Sequence, residues 1–198
     1  PPSPEPIAAD FEATAVGERP RLASVSGETN GASIRVSDEQ AAGGDRSLKF
    51  TDAPGLEHDW QPHMAYHPNH AKGSASLSFD VFIQPGAILW HEWRDALSPY
   101  QVGPSLRIEG DGELVVADET LMTVPLGHWV NLRIDCPLGK LAGEWKLTVT
   151  VQGQEARTFE GLANQSDRWR RLQWVGLVSL ATQTTVFYID NVRLEHAK

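Results

Sequence analysis

Over residues 74–83 the chain alternates, with Leu77, Phe79, Val81 and Ile83 on one face and Ser76, Ser78, Asp80 and Phe82 on the other. Residues 129–135 repeat the pattern: Val130, Leu132 and Ile134 turn one way, Asn131 and Arg133 the other. Residues 145–151 set Trp145, Leu147, Val149 and Val151 against Lys146, Thr148 and Thr150. Successive side chains of a strand point to opposite faces, so a period of two predicts three half-buried strands. Shorter strands are predicted over 46–51, 105–109, 113–117, 172–179 and 185–194. Turn chemistry separates them at Gly43-Gly44-Asp45, Pro85-Gly86, Gly110-Asp111-Gly112, Pro125-Leu126-Gly127, Pro137-Leu138-Gly139 and Gly153. Asp111-Gly112 supplies the positive φ angles of a tight hairpin. No segment keeps a 3.6 period for three turns, and 37–42 is at most one helical turn. Many short strands with Gly and Pro turns predict an antiparallel β-sandwich or barrel.

Composition narrows this further. A length of 198 residues, 40% of them hydrophobic, suits one domain with one core. Only 22% of residues are charged and seven are Trp, which excludes a disordered chain. With 17 basic against 26 acidic side chains and a formal charge of −9, nucleic acid and anionic membranes are expected to be no partners. The single Cys136 excludes an internal disulfide framework, and no run of 18 apolar residues offers a membrane-spanning helix. Four of the first six residues are Pro, so 1–6 reads as a linker or terminal tail in extended form, and 7–198 as the domain. That start is expected to tie the domain to something else, such as a neighbouring catalytic domain or a surface protein.

Three fragments stand in order along the chain: Asp10-Phe11-Glu12, Gly43-Gly44-Asp45-Arg46-Ser47-Leu48-Lys49-Phe50, and Phe187-Tyr188-Ile189-Asp190-Asn191-Val192-Arg193-Leu194. Together they resemble the calcium-containing β-jelly-roll carbohydrate-binding modules and their concanavalin A-like lectin and glucanase relatives. The resemblance covers about a quarter of the chain. It implies a jelly-roll sandwich whose first and last strands lie side by side. It further implies a structural calcium held by Glu12 and Asp190, with Asp45 and the backbone of Ser47 to Lys49 as partners. Such strands would bring two carboxylates into repulsion, and a hard cation with six to eight oxygen ligands relieves it. Solvation of both acids, or pairing with Lys49 or Arg46, would relieve it too.

Function is expected in the middle of the chain. Four of the seven His, namely His58, His63, His67 and His70, fall within thirteen residues. Such density suits zinc or copper, but Pro62 and Pro68 break any helix and no Cys accompanies them, so a polar aromatic loop at the sandwich rim is favoured. Residues 89–95, Leu-Trp-His-Glu-Trp-Arg-Asp, would as a strand put Trp90, Glu92 and Arg94 on one face and His91, Trp93 and Asp95 on the other. Four ionisable side chains in five residues cannot all enter a core unpaired. An indole stacks on the apolar face of a pyranose, and a carboxylate with a guanidinium bonds vicinal hydroxyls. The alternative is a Glu92–Arg94 or Arg94–Asp95 ion pair that holds the sheet edge. Among the other Trp, Trp145 and Trp174 fit apolar rows and are expected in the core. Trp129 is expected to be exposed, and Trp169 lies in the basic run Arg168–Arg171, a solvated strand entry or a seat for an acidic sugar.

Catalytic signatures are sparse. The alternating acidic strand of laminarinase-type jelly rolls is absent, and Glu92 and Asp95 fall on opposite faces, unsuited to a glycosidase pair. A lyase would need His91 or Tyr100 as proton carrier and Arg94 as charge neutraliser. No phosphate loop or nucleophile elbow occurs. The expectation is therefore a secreted, non-catalytic polysaccharide-binding jelly roll with a calcium clip. Its platform is Trp90, Glu92, Arg94 and Tyr100, helped by Trp60 and His63. A jelly-roll lyase or glycosidase, or an interaction domain that binds no sugar, are the alternatives.

Overall fold

The computed structural model describes residues 5–197, so most of the proline-rich start lies outside the described residues. Its strands run, in chain order, β1 (Ile7–Ala9), β2 (Ser24–Ser26), β3 (Ser33–Ser37), β4 (Ser47–Thr51), β5 (His63–Tyr66), β6 (Gly73–Ile83), β7 (Leu89–Arg94) and β8 (Val102–Ile108). They continue as β9 (Glu113–Val116), β10 (Glu119–Thr123), β11 (Trp129–Leu138), β12 (Glu144–Val151), β13 (Arg157–Ala163), β14 (Trp174–Ser179) and β15 (Val186–Ala197). One short 3-10 turn, Gly139–Leu141, is the only helical element among the described residues. The stretch 37–42 forms a strand end followed by bends, because the Ser37 and Ser47 strands pair there and leave no room for a helix.

Two antiparallel sheets make a jelly-roll sandwich. The first has the order β13-β12-β11-β6-β15-β4-β3, with β1 also on β15. The second has the order β10-β9-β8-β7-β14-β5-β2. The three alternating segments lie side by side in the first sheet, β6 pairing with β11 and β11 with β12. Val81 lies opposite Val130, Phe79 opposite Leu132 and Leu77 opposite Ile134, so their apolar rows merge into one buried surface. The second sheet contributes Met64, Leu89, Trp93, Leu106, Val175 and Leu177 from its inner face. Burying one such side chain contributes about 1.5–3 kcal/mol, which is why the parity of each strand is strongly specified.

β15 is the element that joins the chain ends. Its first half pairs with β4, its second half with β1, and β6 runs along its other side. A register shift between Asp190 and Arg193 marks the change of partner, and Asn191 takes a positive φ of 50° there.

The inner face also holds a polar surprise. His91 is fully buried, its Nδ1 donating to the Gly176 carbonyl at 2.7 Å and its Nε2 accepting the Trp93 indole N–H at 3.0 Å. One nitrogen donates and the other accepts, which only the neutral ring can do. Burial pushes its pKa down to about 4. A second proton would leave a charge in the core and remove the acceptor for Trp93. In the unfolded chain the ring titrates near 6.5, so the unfolded state takes up a proton that the folded state refuses. This contribution to stability is complete above about pH 6.5 and is lost as pH falls toward 4. Half-buried His63 and buried His70 shift in the same direction. Denaturant unfolding at pH 7 and pH 4.5 is expected to show roughly 2–3 kcal/mol of acid-linked loss from His91 alone. His91→Gln, which keeps a donor and an acceptor, should remove that part of the pH dependence; an unchanged dependence would show that His91 is not its source.

Candidate functional site

The outer face of the second sheet is assembled from three strands by register. On β7, Leu89, His91 and Trp93 face the core, which leaves Trp90, Glu92 and Arg94 on the outside. β14 lies next to it with Trp174 opposite Arg94, Gly176 opposite Glu92 and Val178 opposite Trp90. β5 follows with His63 opposite Val178 and Ala65 opposite Gly176. On the other side, β8 sets Arg107 opposite Trp90 and Ser105 opposite Glu92. The central row is therefore Ala65, Gly176, Glu92 and Ser105, three of them small, between rows that carry the rings and cations.

At the centre stands Arg94. Its guanidinium lies over the Trp174 ring at 4.0 Å and the Tyr100 ring at 4.3 Å, with Trp90 at 5.9 Å. Each such contact contributes about 0.5–2 kcal/mol, more as water is excluded. Its Nε donates to Glu92 Oε1. Glu92 is only 1% exposed, and its Oε2 is buried without a hydrogen-bond partner. Burial pushes the Glu92 carboxyl up, against the opposing pull of Arg94. A bulge in the β7–β8 pairing between Glu92 and Arg94 opens the strand where Tyr100 folds back over the guanidinium. Bulges re-aim side chains in this way.

Trp174 belongs to this platform, not to the core where the apolar row 172–178 placed it. Its indole lies back over Gly176, where a Cβ would overlap the ring. The signal was present in the sequence: Val175 and Leu177 form the true core row, and a glycine two residues after the Trp leaves space for the ring. Trp169 differs too. It is fully buried against Trp93 and over Gly103, where a Cβ would again overlap the indole, while Arg168, Arg170 and Arg171 around it are exposed. Trp129 is half-buried against Phe82 at 5.5 Å, on the outer face of the other sheet. Trp145 is buried, as its alternation predicts.

All six side chains picked out for the platform lie on or beside this face, though in different states. Trp60, 44% exposed, stacks on His58 at 4.4 Å and meets His63 edge-on at 5.4 Å. Tyr100 is 49% exposed, and Trp90 is half-buried with its indole N–H on Ser105 Oγ at 3.1 Å. His63 is half-buried, with Nδ1 unpartnered. Burial pushes its pKa down against an upward pull from the Trp60 backbone, and the Arg94 charge adds a smaller downward push. Glu92 departs from the expectation: it cannot offer its carboxylate to hydroxyls, because it is sealed beneath Arg94. The ion pair anticipated as the alternative is what forms. Beside Trp90 the platform deepens into a recess of about 370 Å³ lined by Ser105, Arg107, Asp118, Asn164 and Gln165. These come from three separate segments, so spacing in the sequence does not reveal them.

The histidine-rich stretch disperses. His58 joins Trp60, His67 Nε2 lies 3.2 Å from Ser24 Oγ, and His70 stacks on His196 at 4.1 Å. Among the described residues no three His, Cys, Asp or Glu side chains stand together as a metal-holding group.

The chain ends do meet the 42–46 loop. Glu12 Oε1 accepts the backbone N–H groups of Asp45 and Arg46 at 3.0 and 2.9 Å. Asp190 Oδ2 accepts those of Ala42 and Gly43 at 2.9 and 3.1 Å, and its Oδ1 accepts Asn191 N–H at 2.7 Å. Burial and Asp80 push the Asp190 carboxyl up, against these three donors. The Lys49 ammonium goes to Glu39 at 2.6 Å. The Arg46 guanidinium donates to the carbonyls of Glu12 and Thr14 at 2.7 and 2.8 Å. Calcium needs six to eight oxygens free to turn toward it. Here N–H donors face both carboxylates, and a cationic side chain holds the adjacent carbonyls. The residues present do not fit the ion that the resemblance implied.

No family model matches the chain, and no curated protein matches it. Solved structures do, at the level of the fold. An endo-β-1,4-glucuronan lyase from the fungus Trichoderma reesei superimposes with a TM-score of 0.65 at 10% identity, covering 96% of this chain and 95% of that one. Lectin II from Ulex europaeus gives 0.61 at 8% identity, covering 98% of each. The C-terminal family 22 carbohydrate-binding module of Clostridium thermocellum Xyn10B gives 0.51 at 14% identity, covering 96% of this chain and 93% of that one. The chain shares the jelly-roll fold of these proteins.

Proposed function

We propose that this protein is an extracellular saccharide-binding domain that holds a glycan on the outer face of its second sheet. The observation that carries the reading is the row of rings around Arg94, with Trp90, Trp174 and Tyr100 gathered about one guanidinium and partly open to solvent. Flat rings suit the C–H faces of sugar rings, and an interspersed cation and hydroxyls supply directed hydrogen bonds. Folding leaves this cluster on a surface where an apolar purpose alone would have favoured burial in the core. The jelly-roll likeness to a lectin and a carbohydrate-binding module supports the same reading.

Recognition without cleavage is the better supported form. Bond cleavage needs a proton carrier within reach of substrate. His91 is locked in the core by both ring nitrogens, and Glu92 is sealed beneath Arg94. The likeness to a glucuronan lyase keeps one rival worth testing, since His63 and Tyr100 flank Arg94 on the platform. An attached catalytic domain or a surface anchor would be the natural beneficiary of such binding.

Affinity electrophoresis in gels containing soluble polysaccharides, followed by calorimetry with oligosaccharides, is expected to show binding. Trp174→Ala and Trp90→Ala should each weaken it about tenfold or more, since 1.4 kcal/mol is a factor of ten. Gly176→Ala should weaken it too, by lifting the Trp174 ring off its seat. No retardation by any neutral or acidic polysaccharide would overturn the proposal. New reducing or unsaturated ends released from the same polysaccharides would make the protein an enzyme instead.

A further inference from the structure

We propose that the platform selects an anionic saccharide, with Arg94 receiving the carboxylate of a uronic acid unit. This rests on the saccharide-binding reading above and goes beyond it to the class of sugar. Both flat faces of the guanidinium are covered, by Trp174 on one side and Tyr100 on the other. Nε is taken by Glu92. The two terminal nitrogens have no protein partner among the described residues, and the side chain is 19% exposed. What remains open is one edge of the fork. A guanidinium edge with parallel N–H groups matches the two oxygens of a carboxylate, and it matches single hydroxyls less well.

The surroundings favour an acceptor on the ligand. A neutral glycan presents hydroxyls that donate as well as accept, so its sites offer carboxylates or amides in return. Among the described residues around the guanidinium, the one carboxylate, Glu92, is buried under Arg94 and cannot be reached; Asp118 and the amides of Asn164 and Gln165 stand apart, in the recess beside Trp90. Ser105 Oγ already accepts the Trp90 indole N–H. On the same face Arg107 adds a second cation, steadied by Glu109 at 3.0 Å and the exposed Asp118 at 4.0 Å. Glu92 thus acts as a positioning residue: it fixes the guanidinium through Nε and leaves the terminal edge turned outward. The stacked rings then meet the sugar on either side of its carboxylate.

The test uses matched pairs of ligands. Oligoglucuronates and oligogalacturonates are titrated by calorimetry beside their carboxyl-reduced counterparts, which keep ring and linkage but lose the charge. Carboxyl reduction is expected to weaken binding at least tenfold. Arg94→Lys should lose most of that discrimination, because an ammonium keeps the charge without the planar fork or its stacking. Removing Arg94 alone would strand a buried carboxylate and could unfold the domain. The double variant Glu92→Gln with Arg94→Gln therefore serves as the second measurement, expected to bind parent and reduced ligands alike. Equal affinity of the wild type for both members of each pair would overturn the anionic proposal while leaving saccharide binding intact. Failure to bind either member, or any neutral glycan, would overturn both.

We infer that Arg46 takes the cation's place in the closure of the chain ends, so that the clip needs no metal. Its guanidinium reaches the carbonyls of Glu12 and Thr14, while its own backbone N–H binds the Glu12 carboxylate. One residue thereby satisfies acceptors of both kinds on the incoming chain end. Melting of the wild type is expected to be the same with a chelator and with millimolar calcium, and Arg46→Ala is expected to melt several degrees lower in both. A calcium-dependent rise of several degrees in the wild type, abolished by the chelator, would overturn this inference, because a ligand bound only by the native state raises its melting temperature.

Discussion

The antiparallel register of β14 against β7 is the constraint on which the aromatic outer face depends. Trp174 opposite Arg94 and Gly176 opposite Glu92 put ring against cation and leave space beside the carboxylate. A slip of one residue would either turn Val175 and Leu177 outward or drive Arg94 and Glu92 toward the core. The core prevents this slip. Leu89, Trp93, Val175 and Leu177 on the inner side lose solvent contact only in the observed register, and each contributes on the order of 2 kcal/mol. The platform is held in place by side chains that never touch it. His91 adds direction to the same joint, since its N–H binds the Gly176 carbonyl across the β7–β14 boundary.

A buried ion pair at the surface end of that joint has a cost. Taking Glu92 out of water is worth several kcal/mol of destabilisation, and the attraction of Arg94 offsets it only in part, as the raised carboxyl pKa indicates. An apolar pair would have served stability as well or better. What the charged pair supplies is orientation: a guanidinium fixed through Nε and clamped between two rings loses little freedom when a ligand arrives. The unpartnered Glu92 Oε2 belongs to the same compromise.

The chain ends solve a different problem with similar means. β15 must serve β6 on one side and both β4 and β1 on the other, and the change of partner leaves Asp190 at a bulge beneath a loop. Without a disulfide, the closure relies on backbone N–H groups pointed at two carboxylates and on Arg46 pointed at two carbonyls. Donors to a carboxylate are charge-assisted and stronger than ordinary hydrogen bonds. The fragments around Glu12, Asp45 and Asp190 do meet, through backbone donors and through one side chain, Arg46, that the resemblance treated as loop.

How much could be read beforehand follows from the range of each interaction. Alternation over 74–83, 129–135 and 145–151 is local and repeated, so β6, β11 and β12 and the sandwich class followed from it. The short strands β2, β5 and β13 carry too few alternating residues to stand out, and they form because a neighbour offers an edge. The composition and parity of 89–95 already placed Trp90, Glu92 and Arg94 on one side. Where Trp174 and Trp169 went was decided by contacts across more than sixty residues of chain, and the sealing of Glu92 depended on the Trp174 ring that seats Arg94 over it. Gly176 and Gly103 show the reason: each accommodates an indole whose position only the packed sheets define. The pattern of the sequence by itself determined an all-β sandwich or barrel with an aromatic, charged strand at its middle, and the resemblance of its three fragments narrowed this to a jelly roll. The tertiary structure decided which rings close on Arg94, because stacking and burial depend on neighbours that local periodicity does not contain.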